Sequence, residues 1–359
     1  MPTLAEGPQR PIHPIAFREG HQHLTDSNTS GLRSTTSERG VQTDEELDKS
    51  RRENPVQRWV RESQDELDHC SESEIINDIR ALGKCISDFA LNVSSVFGQY
   101  RSRTSDQMLL TPQYVQHILR ENQVENYLIN TLGEPLANNL YNHRRYSQTE
   151  SETRLVDAVS AVGTEVVHRI ISRTYFGLPM DGSNFVDAFR RMRSKEPQAK
   201  ALHWRDLTSK YLYQEDIERD TLGRFEGQLA FYTQSLMVLA GENLNSQLHK
   251  DVSSLALNSK IINQASVVSK KIIHNFFSVD LVTFSFRPGS PFNPNEMEAE
   301  DADLDSRTPL LGRNRVISCT IEPGLREVIT EAEKSGGERV LLKAKVVLEL
   351  EPIAQRVRR

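Results

Sequence analysis

Residues 71–100 read SESEIINDIRALGKCISDFALNVSSVFGQY, and in them Ile75, Ile79, Leu82, Ile86, Phe89, Val93, Val96 and Tyr100 recur in alternating steps of 4 and 3. On an α-helix that alternation keeps one apolar line on one side for about seven turns, the heptad seam that coiled coils also use. Ser71 followed by Glu74 predicts a capping box, in which each side chain satisfies an orphan backbone N–H. Beside the seam run Ile76, Gly83, Ala90 and Phe97, and the two small residues predict the close approach of a second helix. Ordering backbone costs about 1–2 kcal/mol per residue, so a helix this long needs partners to cover its seam. The rest of the chain is read as the supply of those partners.

Downstream, Thr111-Pro112 is an N-cap followed by a proline at the first helical position. Tyr114, Val115, Ile118 and Leu119 then form a short apolar face. A second short helix through Val124, Leu128 and Leu132 stops at Gly133, and Pro135–Tyr146 predicts a third. Leu155, Val159, Val162, Val166 and Ile170 mark a long helix. Phe185, Phe189 and Met192 mark a brief one, and Leu207 with Tyr211 another. Leu222, Phe225, Leu229, Tyr232, Leu236 and Leu239 repeat the heptad steps, and Ile261, Ala265, Val268, Ile272 and Phe276 give a fourth long stripe. Four long amphipathic helices in one chain predict an intramolecular bundle, with a homodimeric coiled coil as the weaker reading of residues 71–100.

At about residue 279 the hydrophobic period changes to 2, the period of strands. Residues 279–286 (VDLVTFSF), 315–321 (RVISCTI) and 339–350 (RVLLKAKVVLEL) are predicted strands. In the last of these, Val340, Leu342, Ala344, Val346, Leu348 and Leu350 form one alternating face. Gly324–Lys334 is read as a helix. The fold class expected is mainly α, a multi-helix bundle with a small C-terminal antiparallel β-sheet and long disordered segments. The divisions are a disordered arm at 1–54, the bundle at 55–278, a β-rich module at 279–352 with a disordered acidic insertion at 288–313, and a tail at 353–359.

The arm earns that reading from its composition: residues 1–54 hold only eight Leu, Ile, Val and Phe, too few to bury a core. Within it stands Gly40-Val41-Gln42-Thr43-Asp44. The core Val41-Gln42-Thr43-Asp44 resembles the short peptides captured by the dynein light chain hub. The resemblance covers about five residues and implies capture by β-strand addition, with Gln42 as the anchor and Val41 and Thr43 flanking it.

Composition bounds the chemistry. The chain has 359 residues, net charge −6, 37% hydrophobic and 26% charged residues, so nucleic acid and anionic membrane are disfavoured as partners of the whole molecule. Cys70, Cys85 and Cys319 are odd in number and widely spaced, which argues against a disulfide framework or a cysteine zinc cage. With no run of eighteen apolar residues and no apolar leader, cytoplasm or nucleus follows by elimination. His117, His168, His249 and His274 stand singly on helices, none in an HExxH arrangement, and no metal or cofactor is assigned. GxSxG, GxGxxG and P-loop patterns do not occur.

A basic stretch, Arg190, Arg191, Arg193, Lys195 and Arg205, with Trp204 inside it, is the candidate anion-binding face. Opposite in sign, Glu296, Glu298, Glu300, Asp301, Asp303 and Asp305 put six acids into ten positions. Disorder beside a bundle without a catalytic motif predicts a non-catalytic interaction or scaffold protein with protein partners, a dynein light chain among them. The alternatives are an enzyme or small-ligand carrier with its site inside the bundle, and anion or nucleic-acid binding through residues 190–210.

Overall fold

The helix at the centre is not the seamed one but Gln148–Ile171. Its apolar residues occupy more than one face: Leu155, Val159, Val162, Val166 and Ile170 are buried, and so are Ala158, Ala161, Val167 and Ile171. A helix apolar on several sides is one that neighbours surround. In this computed structural model, which describes residues 70–102, 112–121, 124–141, 148–173, 183–240, 247–277, 279–300, 315–329 and 337–350, the fold is mainly α with two small sheets. The arm, its Val41–Asp44 motif, the acids from Asp301 onward and the C-terminal tail lie outside the described residues.

In chain order the helices are α1 (Glu72–Arg101), α2 (Pro112–Glu121), α3 (Glu125–Tyr141), α4 (Gln148–Ile171), α5 (Ser183–Arg193), α6 (Gln198–Leu212), α7 (Glu215–Leu239), α8 (Gln247–Leu257) and α9 (Ile261–His274). The strands are β1 (Asp280–Phe284), β2 (Met297–Ala299), β3 (Arg315–Glu322), β4 (Gly324–Ile329), β5 (Gly337–Leu342) and β6 (Ala344–Leu350). Helix α4 packs against α1, α3, α7, α9, β1 and β3.

Helix α1 begins as its sequence predicts. The Glu74 N–H donates to Ser71 Oγ at 3.3 Å, and the Ser71 N–H donates to Glu74 Oε2 at 2.8 Å. The seam from Ile75 to Val93 is buried against α4, α8 and α9 of the same chain. At its end burial moves from Val96, half-buried, to Phe97, 3% exposed. That drift is what a straight 3.6-residue helix does to a 3.5-residue repeat. The close helix approach is made from the other side: a Cβ on Gly163 of α4 would lie 3.1 Å from Ile86 Cγ2. Gly83 faces the Glu322 carboxylate of β3 instead of a helix.

Helix α3 is two short helices across a break at Gly133, whose φ of 77° and ψ of 153° only glycine adopts freely. The stop predicted there is real. Helix α6 exists where expected, but on the opposite face. Leu207 and Tyr211 are exposed, while Ala201, Leu202, Arg205, Asp206 and Ser209 are buried. Two apolar residues one turn apart were too few to define the inner face.

The β region corrects three expectations. Gly324–Ile329 is a strand, not the start of a helix, because it is paired on both sides, with β1 and with β5. Residues 339–350 are two strands in different sheets, of order β1-β4-β5 and β2-β6-β3. Strands β3 and β4 are separated by Pro323, and β5 and β6 by Lys343, with Glu322 paired to Lys345 on one side of the break and Leu325 to Leu342 on the other. The four make one long antiparallel hairpin that breaks where proline has no N–H to donate. Finally, the insertion expected to be disordered over 288–313 is structured through residue 300. Pro291 bridges Val316, and β2 pairs with β6 in parallel, so the second sheet is mixed. Met297, 4% exposed, is the reason: it packs with Ile317, Val346, Phe286 and Phe292 in a small apolar cluster.

The sheets are tied to α4 by polar bonds. Thr164 Oγ1 donates to the Ile321 carbonyl at 2.6 Å, and His168 Nδ1 lies 3.0 Å from Thr283 Oγ1. Burial, and then the Arg326 charge, pushes the His168 pKa below its ordinary value.

Candidate interaction surface

Helices α5 and α6 form a hairpin with its own small core. Phe189, Ala201, Leu202 and Phe277 are buried together, with Phe185, Val186, Met192 and Trp204 around them. Their sequence sets this geometry: Pro197 opens α6, and the turn at 194–196 closes on Met192 through the Lys195 and Glu196 N–H groups.

Besides the apolar contact through Phe277, the hairpin is held to the body by ionic and polar bonds. Asp280, at the start of β1 and 3% exposed, takes Arg193 at 2.9 Å and Arg205 at 3.5 Å. Arg205 also donates to the Ile272 carbonyl at 3.2 Å and lies 5.5 Å from the Phe189 ring centroid. Asp206, 2% exposed, meets His274 at 2.8 Å and Lys210 at 2.9 Å. Gln198 Nε2 donates to the Val328 carbonyl at 2.9 Å. Buried ions of this kind cost desolvation, and they fix register because few other placements would balance them.

The predicted anion-binding residues are therefore not one face. Arg193 and Arg205 turn inward to Asp280, and Arg190 is held by Asp187 at 2.8 Å. Arg191 and Lys195 are exposed. Arg205, 6% exposed, is out of reach of an external anion. Sequence reasoning missed the organising residue, Asp280. An acid between Val279 and Leu281 in an apolar run was the available signal.

The outer side of α6 is apolar. Leu207 is 38% exposed, Tyr211 84%, Leu212 36% and Tyr213 39%. Tyr211 and Tyr213 are thus not core aromatics. Tyr213 is anchored by its hydroxyl, which donates to Glu218 of α7. Glu218, 6% exposed, also takes Lys270 at 2.6 Å and Ser266 at 3.2 Å. Burial opposes the Glu218 charge, but the bonds from Lys270, Tyr213 and Ser266 outweigh it and hold its pKa below the ordinary 4.5. The bond to Glu218, followed by burial and the charges of Glu218 and Glu215, pushes the Tyr213 phenol up to about 12. The aromatic edge of α6 is thereby fixed at its C-terminal end.

Two other places were candidates for a ligand. The bundle centre is filled: Leu82, Ile86, Val159, Val162, Val166, Leu229 and Leu236 are each 0% exposed and belong to one apolar cluster. A cleft of about 300 Å³ lies between the end of α1 and α8, lined by Val96, Gln99, Tyr100, Asp251, Ser254, Leu255 and Asn258. Its polar groups bond along their own helices: Asn258 to Ser254 at 3.1 Å, Gln247 to Asp251 at 2.9 Å and Gln99 to Ser95 at 3.5 Å. They do not converge on a common point. Of the helix histidines, His117 pairs with Glu121 at 3.5 Å on the surface, and burial lowers the pKa of His249. Among the described residues no group of three His, Cys, Asp or Glu is placed to hold a metal ion, and no helix is long and apolar enough to cross a membrane.

The architecture defines a class, a mainly α bundle with two three-stranded sheets packed on its central helix. Comparison with protein-family models, with curated proteins and with solved structures finds no match to this chain.

Proposed function

We propose that this chain is a non-catalytic interaction protein of the cytoplasm or nucleus, presenting the outer edge of α6 to a protein partner. The observation that carries the reading is that edge: Leu207, Tyr211, Leu212 and Tyr213 stand exposed together on a helix whose inner face is pinned by buried ions. Aromatic side chains held on a rigid support lose little entropy on binding, which is why tyrosine dominates many interfaces. In this reading the Val41–Asp44 segment is a second, separate contact, for a dynein light chain.

Each contact has its own experiment. A photo-reactive phenylalanine analogue at position 211 gives a discrete protein adduct in an extract of the native source, absent when the probe replaces Asp216, whose side chain is 88% exposed. Identical adducts at both positions rule out the α6 edge as an interface. For the arm, a peptide of residues 36–48 binds purified dynein light chain with micromolar or better affinity by calorimetry, and Gln42→Ala abolishes it. No heat with the unsubstituted peptide ends that part of the proposal.

A further inference from the structure

We propose that Arg169, Arg173 and Arg224, where the end of α4 meets α7, form a binding site for a phosphoryl group. The site is distinct from residues 190–210 and does not rest on the α6 reading. Arg169 sits in the last turn of α4, and Arg173 lies two residues past its end, its N–H donating to the Ile170 carbonyl at 3.3 Å; the charges of the two are close enough to act on each other. The Arg173 guanidinium lies 4.9 Å from the ring centroid of Phe225, a residue 3% exposed, so α7 supplies a flat and immobile base for it. A guanidinium laid on an aromatic face keeps its N–H edge available for an oxyanion. Arg224, next to Phe225, is steadied along α7 by its bonds to the Asp220 carbonyl at 3.3 Å and Thr221 Oγ1 at 3.2 Å.

The three differ from seven other arginines of the fold in their counter-charge, and from Arg80, Arg191 and Arg287, which are likewise without a carboxylate among the described residues, in being gathered at one place. Arg120, Arg190, Arg193, Arg205, Arg219, Arg326 and Arg339 each have a carboxylate within 3.5 Å. Among the described residues, no acid pairs with Arg169, Arg173 or Arg224. Burial, and then the charges of Arg169 and Arg224, lower the Arg173 pKa, so the three cations are close enough to repel. An acid in the same electrostatic field is Glu165, one turn before Arg169. Its own pKa is raised by burial, an effect only partly offset by Arg169.

Holding like charges together without partners costs stability, and sites that do so are sites where a ligand supplies the opposite charge. Each guanidinium offers five N–H donors, more in sum than the two oxygens of a carboxylate can use. A phosphoryl dianion with three acceptor oxygens matches the set better. The rings of Tyr127 and Tyr232 stack with centroids 3.7 Å apart, and Tyr127 lies near Glu165 and Arg169. They give the part of the ligand that carries the phosphate an apolar surface to lie against.

The test is calorimetric titration of the full chain with sodium pyrophosphate, and separately with a phosphoserine peptide and its unphosphorylated twin. At least one phosphorylated probe binds saturably and the unphosphorylated peptide does not. Arg173→Gln weakens that binding about tenfold or more without lowering the melting temperature, since it relieves repulsion. Arg190→Gln, remote and paired with Asp187, leaves it unchanged. Pyrophosphate binding identifies a free phosphate compound as the ligand, and binding of the phosphopeptide alone identifies a phosphorylated protein. The proposal is overturned if neither phosphorylated probe binds, or if a folded Arg169→Gln/Arg173→Gln variant binds as the wild type does. Should that variant not fold, unchanged affinity in Arg224→Gln, altered only at an exposed side chain, overturns it equally. Arginines that merely complement the α4 dipole would show the reverse pattern, lost stability and no ligand.

Discussion

Glu218→Gln is the substitution that most directly probes how α6, α7 and α9 are joined. Glu218 is 6% exposed and takes donors from Lys270 at 2.6 Å, Ser266 at 3.2 Å and the Tyr213 hydroxyl. A hydrogen bond to a charged group contributes about 1.5–3 kcal/mol net. The Lys270 side chain is 39% exposed and regains water when its partner is neutralised, so its share is discounted. Glutamine keeps the shape and one acceptor oxygen. The expected loss at pH 7 is therefore about 2 kcal/mol. The pH dependence has a definite sign. Glu218 has a folded pKa below its ordinary 4.5, so its contribution is present above pH 4.5 and is lost as pH falls through the folded value. Urea unfolding of both proteins, followed by circular dichroism at pH 7 and at steps below 4.5, gives the comparison. The difference between them should shrink on acidification. A Gln variant within about 0.5 kcal/mol of wild type at pH 7, or a difference that grows in acid, refutes the role assigned to this carboxylate.

Other outcomes follow from the packing. Gly133→Ala places a Cβ at 2.9 Å from Pro288 Cβ and 3.0 Å from the Ser318 carbonyl, on backbone at φ 77°; it should cost at least about 2 kcal/mol in denaturant unfolding. Phe89→Ala, at a site 5% exposed on the α1 seam, should cost about 3–5 kcal/mol, and an unmoved urea midpoint would show the seam unpacked. Deleting residues 294–300 removes β2 and the buried Met297, so the melting temperature should fall measurably where loss of a mere loop would leave it unchanged. His168→Gln should reduce the loss of stability as pH falls below 6.5, because the buried imidazole, with its pKa lowered, resists protonation in the fold and accepts it on unfolding.

Local sequence was enough where one periodic face met one partner layer. The α1 seam, its Ser71–Glu74 cap, the stop at Gly133 and the stripe of α9 are all found where residue spacing put them, because each depends on contacts within a turn or two. The basic stretch at 190–205 was visible as composition, but its meaning was not. Whether Arg205 meets solvent or Asp280 depends on a strand 75 residues away. The same holds for Arg173 on Phe225, and for the aromatic edge of α6, whose exposed side was taken for its inner one. Gly324–Ile329 carries Arg326 and Glu327 and reads locally as helix, yet pairing with β1 and β5 makes it a strand. The even alternation of 339–350 is kept in β6 at Ala344 and Val346, both buried, but not in β5, where Leu341 and Leu342 both pack on the core, and it did not show that the two strands belong to different sheets. Spacing along the chain thus determined which residues share a face. Which charges are buried, which sheet a strand joins and which cations are left together depend on groups far apart in sequence, and only the packed structure brings those groups within bonding distance.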